Sequence, residues 1–216
     1  MKKIFREPIN TVTHLVGAIL SVLGLIVLLV YTIKYNSSLT NIISIIIFGI
    51  SMILLYLASS IYHMVKGSEK LICFLKKVDH SMIFVLIAGT YTPFCILGLS
   101  GAWKWTLISI IWSFAFVGVM LSIFYINMPR YIKTTIYIII GWLGLVAIYP
   151  LYLSLSFDGV FYLLLGGIIY TVGGIIYALK KPNISLHFGF HELFHIFVLI
   201  GTFLHFWVVL KYLVLQ

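Results

Sequence analysis

The chain has 216 residues, 62% of them hydrophobic and only 9% charged, with a mean hydropathy of +1.17. A soluble domain carries about 25% charged residues, so this is an integral membrane protein, and its length is filled by the spans with no room for a soluble domain. The net charge of +9 comes from 14 Lys and Arg against 5 Asp and Glu. These cations lie between apolar segments, where they set topology and meet lipid headgroups, so nucleic acid is excluded as a partner.

Taken in chain order, the apolar runs predict an all-α polytopic domain over 1–216 with seven transmembrane helices, near 14–33, 42–62, 81–98, 106–125, 134–150, 159–178 and 188–212. The first run, from Leu15 to Ile33, is too long for a signal-peptide core and lacks a small-x-small cleavage site. Pro93 predicts a kink in the third span. Gly166-Gly167 and Gly173-Gly174 predict close helix packing on the sixth. Cys73 and Cys95 form no CxxC pair and no metal-ligand spacing. Of the 14 basic residues, all but Lys34, Lys104 and Lys211 precede span one or fall between spans two and three, four and five, or six and seven. That side is cytoplasmic, so the N-terminus is inside and the C-terminus outside. G-protein-coupled receptors have the opposite orientation.

This topology brings scattered polar residues to one depth. His63 ends span two, Asp79 opens span three, and His191 and His195 occupy the first two turns of span seven. His191 and His195 are i, i+4 and share a helix face. Three imidazoles are the ligand count of a catalytic zinc site that keeps one position open for water, and ionisable residues within a membrane are functional candidates. Glu192 points off the ligand face, so this is not an HExxH arrangement, and an acid in a first helical turn is the simpler account of it. Asp79 is either a helix N-cap or a general base beside a metal-activated water, and its depth favours the second role. Ser59, one turn before His63, either bonds its own i−4 carbonyl or reaches the site. Glu7, Asn10 and His14 before span one, with His80, are candidates for the pocket wall. His187 has an interfacial explanation. His205 lies deeper, at a spacing that stacked haems would use, but no second helix carries the matching pair.

In this order the motifs resemble the hemolysin III family of bacterial membrane proteins, within the group that includes the adiponectin and progestin receptors and the alkaline ceramidases. The resemblance rests on Glu7-Pro8-Ile9-Asn10 with Thr13-His14, on Ser59 with His63, on Val78-Asp79-His80-Ser81 running into Ala88-Gly89-Thr90-Tyr91-Thr92-Pro93, and on His191 with His195. It implies zinc held by His63, His191 and His195, with Asp79 and Ser59 at the site, in a multi-pass protein of the bacterial cell membrane. The chain reaches span one within about a dozen residues, unlike the animal receptors, so hormone sensing is not carried over. The expected function is hydrolysis of an amide or ester bond in an acyl-chain lipid, serving membrane lipid homeostasis, with membrane lipids as partners and no obligate protein partner. The alternatives are a non-catalytic zinc-stabilised sensor and the cytolysis that the family name implies.

Overall fold

The computed structural model describes residues 5–185 and 188–215, so His187 lies outside the described residues. Among them every regular element is helical: α1 (Pro8–Tyr35), α2 (Leu39–Met64), α3 (Glu69–Gly98), α4 (Gly101–Phe124), α5 (Arg130–Trp142), α6 (Ile148–Leu179) and α7 (Phe190–Val209). A 3-10 turn over Leu143–Ala147 joins α5 to α6, and a π-helical turn over Leu210–Val214 prolongs α7. Six continuous helical stretches are long and apolar enough to cross a membrane, and one of them is the 50-residue run Arg130–Leu179.

Two boundaries differ from the sequence expectation, each for a physical reason. The third helix starts at Glu69 rather than near residue 81, where the Ser68 hydroxyl accepts from the Leu71 amide at 3.4 Å. Hydropathy locates the apolar part of a helix, but Lys70 to Lys77 continue the same helix beyond it. Asp79 therefore sits well inside α3, and the N-cap role is ruled out. The second difference concerns residues 143–159, read as the end of one span and a loop. Pro150 falls in the first turn of α6, where its missing amide costs nothing. The helix then runs on to Ser156, whose φ of 63° and ψ of 177° break it. Contacts on either side of this break pair in reverse order. Arg130 Nη1 donates to the Tyr177 carbonyl at 3.5 Å, and Trp142 Nε1 donates to Thr171 Oγ1 at 2.9 Å. The later part of α6 thus returns antiparallel to α5.

Helices adjacent in the chain pack on one another except α4 and α5, since α5 rests on α3 and α6, and α7 closes the bundle against both α6 and α1. The double glycines of α6 serve two neighbours at once. A Cβ on Gly173 would lie 2.6 Å from Phe197 of α7, and one on Gly174 would lie 3.1 Å from Thr134 of α5. Polarity is inverted relative to a soluble protein. Leu20, Val30, Trp105, Phe116 and Phe203 are exposed, whereas Asn10, His14, Ser59, His63, Asp79 and His195 are buried. Hydrocarbon around the bundle and ionisable groups inside it are what a bilayer requires.

Candidate metal centre

The site forms where the end of α2 meets the starts of α1 and α7. The extended residues before α1 are tied to the last turn of α2, with the Arg6 amide donating to the Met64 carbonyl at 3.3 Å and the Glu7 amide to the His63 carbonyl at 3.0 Å. This link holds the Glu7 side chain beside His63. Glu7, Asn10 and His14 follow at i, i+3 and i+7, so they line one face of the chain as it enters α1. Asn10 Nδ2 donates to Glu7 Oε2 at 3.1 Å and to Glu192 Oε1 at 2.8 Å. Glu192 also accepts from the Gly189 amide at 2.8 Å, capping α7 as its position in the first turn suggests. Through Asn10, the cap of α7 is fastened to α1.

His63, His191 and His195 converge, each offering a ring nitrogen within 4.8 Å of the others. Their ring centroids form a nearly equilateral triangle with sides of 4.9, 5.0 and 4.9 Å, and every pair meets edge to face. Hydrogen bonds fix the tautomers of two rings. His63 Nδ1 lies 2.7 Å from Glu7 Oε2, an acceptor, so Nδ1 donates there and Nε2 is the nitrogen left for a metal. That Nε2 is buried and has no hydrogen-bond partner among the described residues. His195 Nδ1 lies 3.3 Å from Thr13 Oγ1, whose own proton goes to the Ile9 carbonyl at 2.9 Å, so the imidazole must donate. A buried nitrogen without a partner is costly, and three imidazoles with lone pairs turned together suit a zinc-like cation. The cluster can hold a metal ion.

Burial pushes the Glu7 carboxyl up, but its hydrogen bond and charge interaction with His63, helped by Asn10, outweigh this and hold it at about 2. It is therefore a carboxylate at any pH suited to the folded protein. Partners of this kind orient metal-binding histidines, and their loss typically weakens metal binding about 10–100-fold. Glu7→Ala is expected to weaken divalent-metal affinity by that amount in a chelator competition. An unchanged affinity would show that Glu7 does not support the ligand.

Asp79 and Ser59 both line the cavity beside the cluster, buried, with the Ser59 hydroxyl in interaction range of the Asp79 carboxylate. Ser21 donates to the carbonyl of Gly17 and Thr90 to that of Leu86, four residues back. Ser59 makes no such bond among the described residues and faces Asp79 instead. The remaining candidates take supporting places. His14 stacks on His195 with centroids 3.5 Å apart and planes inclined by 11°, and neither of its ring nitrogens has a hydrogen-bond partner among the described residues. His80 turns toward α5, where its Nδ1 lies 3.4 Å from Lys133 Nζ. His205 Nε2 is 3.1 Å from the Leu163 carbonyl and belongs to the deep wall of the cavity. Sequence reasoning quoted Thr13 only within the Thr13-His14 motif and gave it no role beside His195, and it missed Tyr177, whose ring lies 5.5 Å from that of His191. Thr13 carries a usable signal, since it falls one turn after Asn10 beside His14. Tyr177 carries none.

The cavity has a volume of about 600 Å³ and runs from the histidines and Asp79 past Thr90 to Trp142 and His205. Such a volume is within the range of small-molecule sites, and apolar residues such as Ile83, Leu86 and Val198 share its wall.

Comparison with known proteins matches residues 2–206 to a family model described as haemolysin-III related. The chain is 42% identical over 214 residues to the hemolysin-3 homolog of Bacillus subtilis (strain 168), covering 99% of this chain and 97% of that protein. It is also 42% identical over 217 residues to hemolysin-3 of Bacillus cereus, covering 98% and 94% of the two chains.

Proposed function

The chain belongs to the haemolysin-III-related family, a multi-pass membrane protein, and from that premise we propose that it is a zinc-dependent intramembrane hydrolase of amide or ester bonds in acyl lipids. The observation that carries this reading is the opening of the three-histidine cluster onto a cavity that also holds a buried carboxylate. His63, His191 and His195 would hold the ion. Zinc supplies Lewis acidity and brings the pKa of a coordinated water toward about 7. Asp79, buried in the wall of the same cavity, would take a proton from the attacking water and return it to the departing amine or alcohol. Ser59 orients that carboxylate. The apolar walls take the acyl chain, and Glu7 and Thr13 keep two imidazoles in the ligating tautomer.

A closed structural site would need a fourth protein ligand, and His14 is the nearest imidazole. The His14 ring stacks face to face on that of His195 at a 3.5 Å centroid separation, whereas His63, His191 and His195 meet one another edge to face. This favours an open site. The names of the two Bacillus relatives speak of haemolysis. The apolar outer faces of α1 and α4 instead suit residence in the cell's own membrane, in lipid homeostasis.

The same reading includes seven crossings with the N-terminus in the cytoplasm. A straight 50-residue helix is about 75 Å long at a 1.5 Å rise, more than twice the ~30 Å hydrocarbon core. The break at Ser156 and the antiparallel return of α6 support two crossings there. The activity is tested by incubating purified protein with a panel of labelled amide- and ester-linked lipids, with and without a chelator. Chelator-sensitive release of fatty acid is expected, and protein that retains zinc yet releases none from any lipid would count against the enzyme.

A further inference from the structure

One wall of the cavity is built of cations from three helices. Lys76 of α3, Arg130 and Lys133 in the first turn of α5, and Lys180 at the end of α6 all line it, against only Glu7 and Asp79 among the described acids. Lys133 is the least exposed of them, at 8%. Its Nζ donates to the Ile126 carbonyl at 2.7 Å and lies 3.4 Å from His80 Nδ1, and neither neighbour carries a counter-charge. The Arg130 guanidinium stands over the rings of Tyr177 and Phe190, 4.4 and 5.0 Å from their centroids. Among the described residues, Glu7 is the acid that forms ion pairs, with Arg6 and His63, while Glu192 is engaged by Asn10 and the Gly189 amide. Among the described residues, no carboxylate forms an ion pair with the cationic wall.

Withdrawing a charge from water without a partner is unfavourable, and four cations brought together add mutual repulsion. An anion on this wall would remove both costs. A guanidinium fork combined with ammonium groups suits phosphate oxygens. The wall is also near the histidines, because the Tyr177 ring touches Arg130 on one side and lies 5.5 Å from His191 on the other. We propose that the cavity takes an acyl lipid with an anionic phosphate headgroup, the phosphate resting on Lys133, Arg130, Lys76 and Lys180 and the acyl linkage lying at the histidines. In a glycerophospholipid only a few bonds separate the phosphate from the acyl carbonyls, which suits that short spacing. The placement of the acyl linkage rests on the hydrolase reading, whereas headgroup recognition does not. Lysines on the membrane surface also attract anionic lipid, but Lys133 is buried in the cavity, and this makes the two effects separable.

Binding is measured on the chelator-treated full chain in neutral detergent, so that no turnover intervenes. The probes are pyrene-labelled phosphatidylglycerol and a diacylglycerol with the same acyl chains. Phosphatidylglycerol is expected to bind about tenfold or more tightly than diacylglycerol, and Lys133→Met to abolish that preference, as the loss of a charge-assisted contact implies. Lys181→Met, an exposed lysine on the same side that does not line the cavity, is expected to keep it. If Lys133→Met does not fold, the Lys76→Met, Lys180→Met double variant carries the same expectation at less buried positions. Equal binding of the two lipids, or equal losses in the cavity and Lys181 variants, would overturn the proposal. Displacement of the lipid by millimolar inorganic phosphate alone would also overturn it, by identifying a free-phosphate site. A preference that persists in protein unable to hydrolyse any lipid would contradict only the hydrolase reading. Hydrolysis of neutral lipids without a headgroup preference would contradict only this one.

Discussion

Removing both imidazoles from α7 in a His191→Ala, His195→Ala double variant is expected to eliminate stoichiometric zinc from folded protein, as measured by elemental analysis. Two of three ligands are lost, and His63 alone cannot retain the ion against buffer and water. His63→Ala alone should reduce occupancy sharply, because it removes the buried Nε2 that has no other partner. His205→Ala is the control on the same helix. Its Nε2 lies 3.1 Å from the Leu163 carbonyl, and ten residues at a 1.5 Å rise place it about 15 Å along the helix from His195. Zinc content should be unchanged there. Full occupancy in the double variant would remove the site assignment altogether.

The second large effect is expected at Asp79, on rate rather than on metal. Asp79→Asn keeps the shape of the side chain and its ability to hydrogen-bond with Ser59 but cannot accept a proton as a base. Lipid hydrolysis should fall by about 10²–10⁴-fold, the usual contribution of a positioned acid–base group, with zinc content kept. Thermal stability should not fall, since a buried carboxylate is costly to desolvate and the amide avoids that cost. A merely structural Asp79 would behave the other way, with lower stability and activity falling only in step with the folded fraction. Measuring turnover, zinc content and melting temperature on the same preparation separates the two.

Much of the centre was legible from the residues themselves. The i, i+4 spacing of His191 and His195 sets their shared face, and the distribution of lysines and arginines brings His63 and Asp79 to the same depth. Contacts that depend on how helices rotate against one another were not legible. The stacking of His14 on His195, the bridge from Asn10 to Glu192 and the approach of Tyr177 to His191 all arise from the docking of α1 and α6 on α7. Helix boundaries were misjudged where hydropathy and helix formation part company. The basic start of α3 is helical without being apolar, and residues 151–155, read as part of a loop, stay helical up to the break at Ser156. Lys133 shows the same limitation for charge. Counted along the chain it reads as part of a connection between spans, but in the fold it is buried in the cavity wall.

The most direct measurement is zinc K-edge X-ray absorption on metal-loaded, full-length protein. Three imidazole nitrogens at about 2.0–2.1 Å with one further light oxygen scatterer are expected, and the imidazole signal should disappear in the His191→Ala, His195→Ala variant. A sulfur shell near ~2.3 Å, or an imidazole signal that survives in that variant, would contradict a metal centre built on His63, His191 and His195.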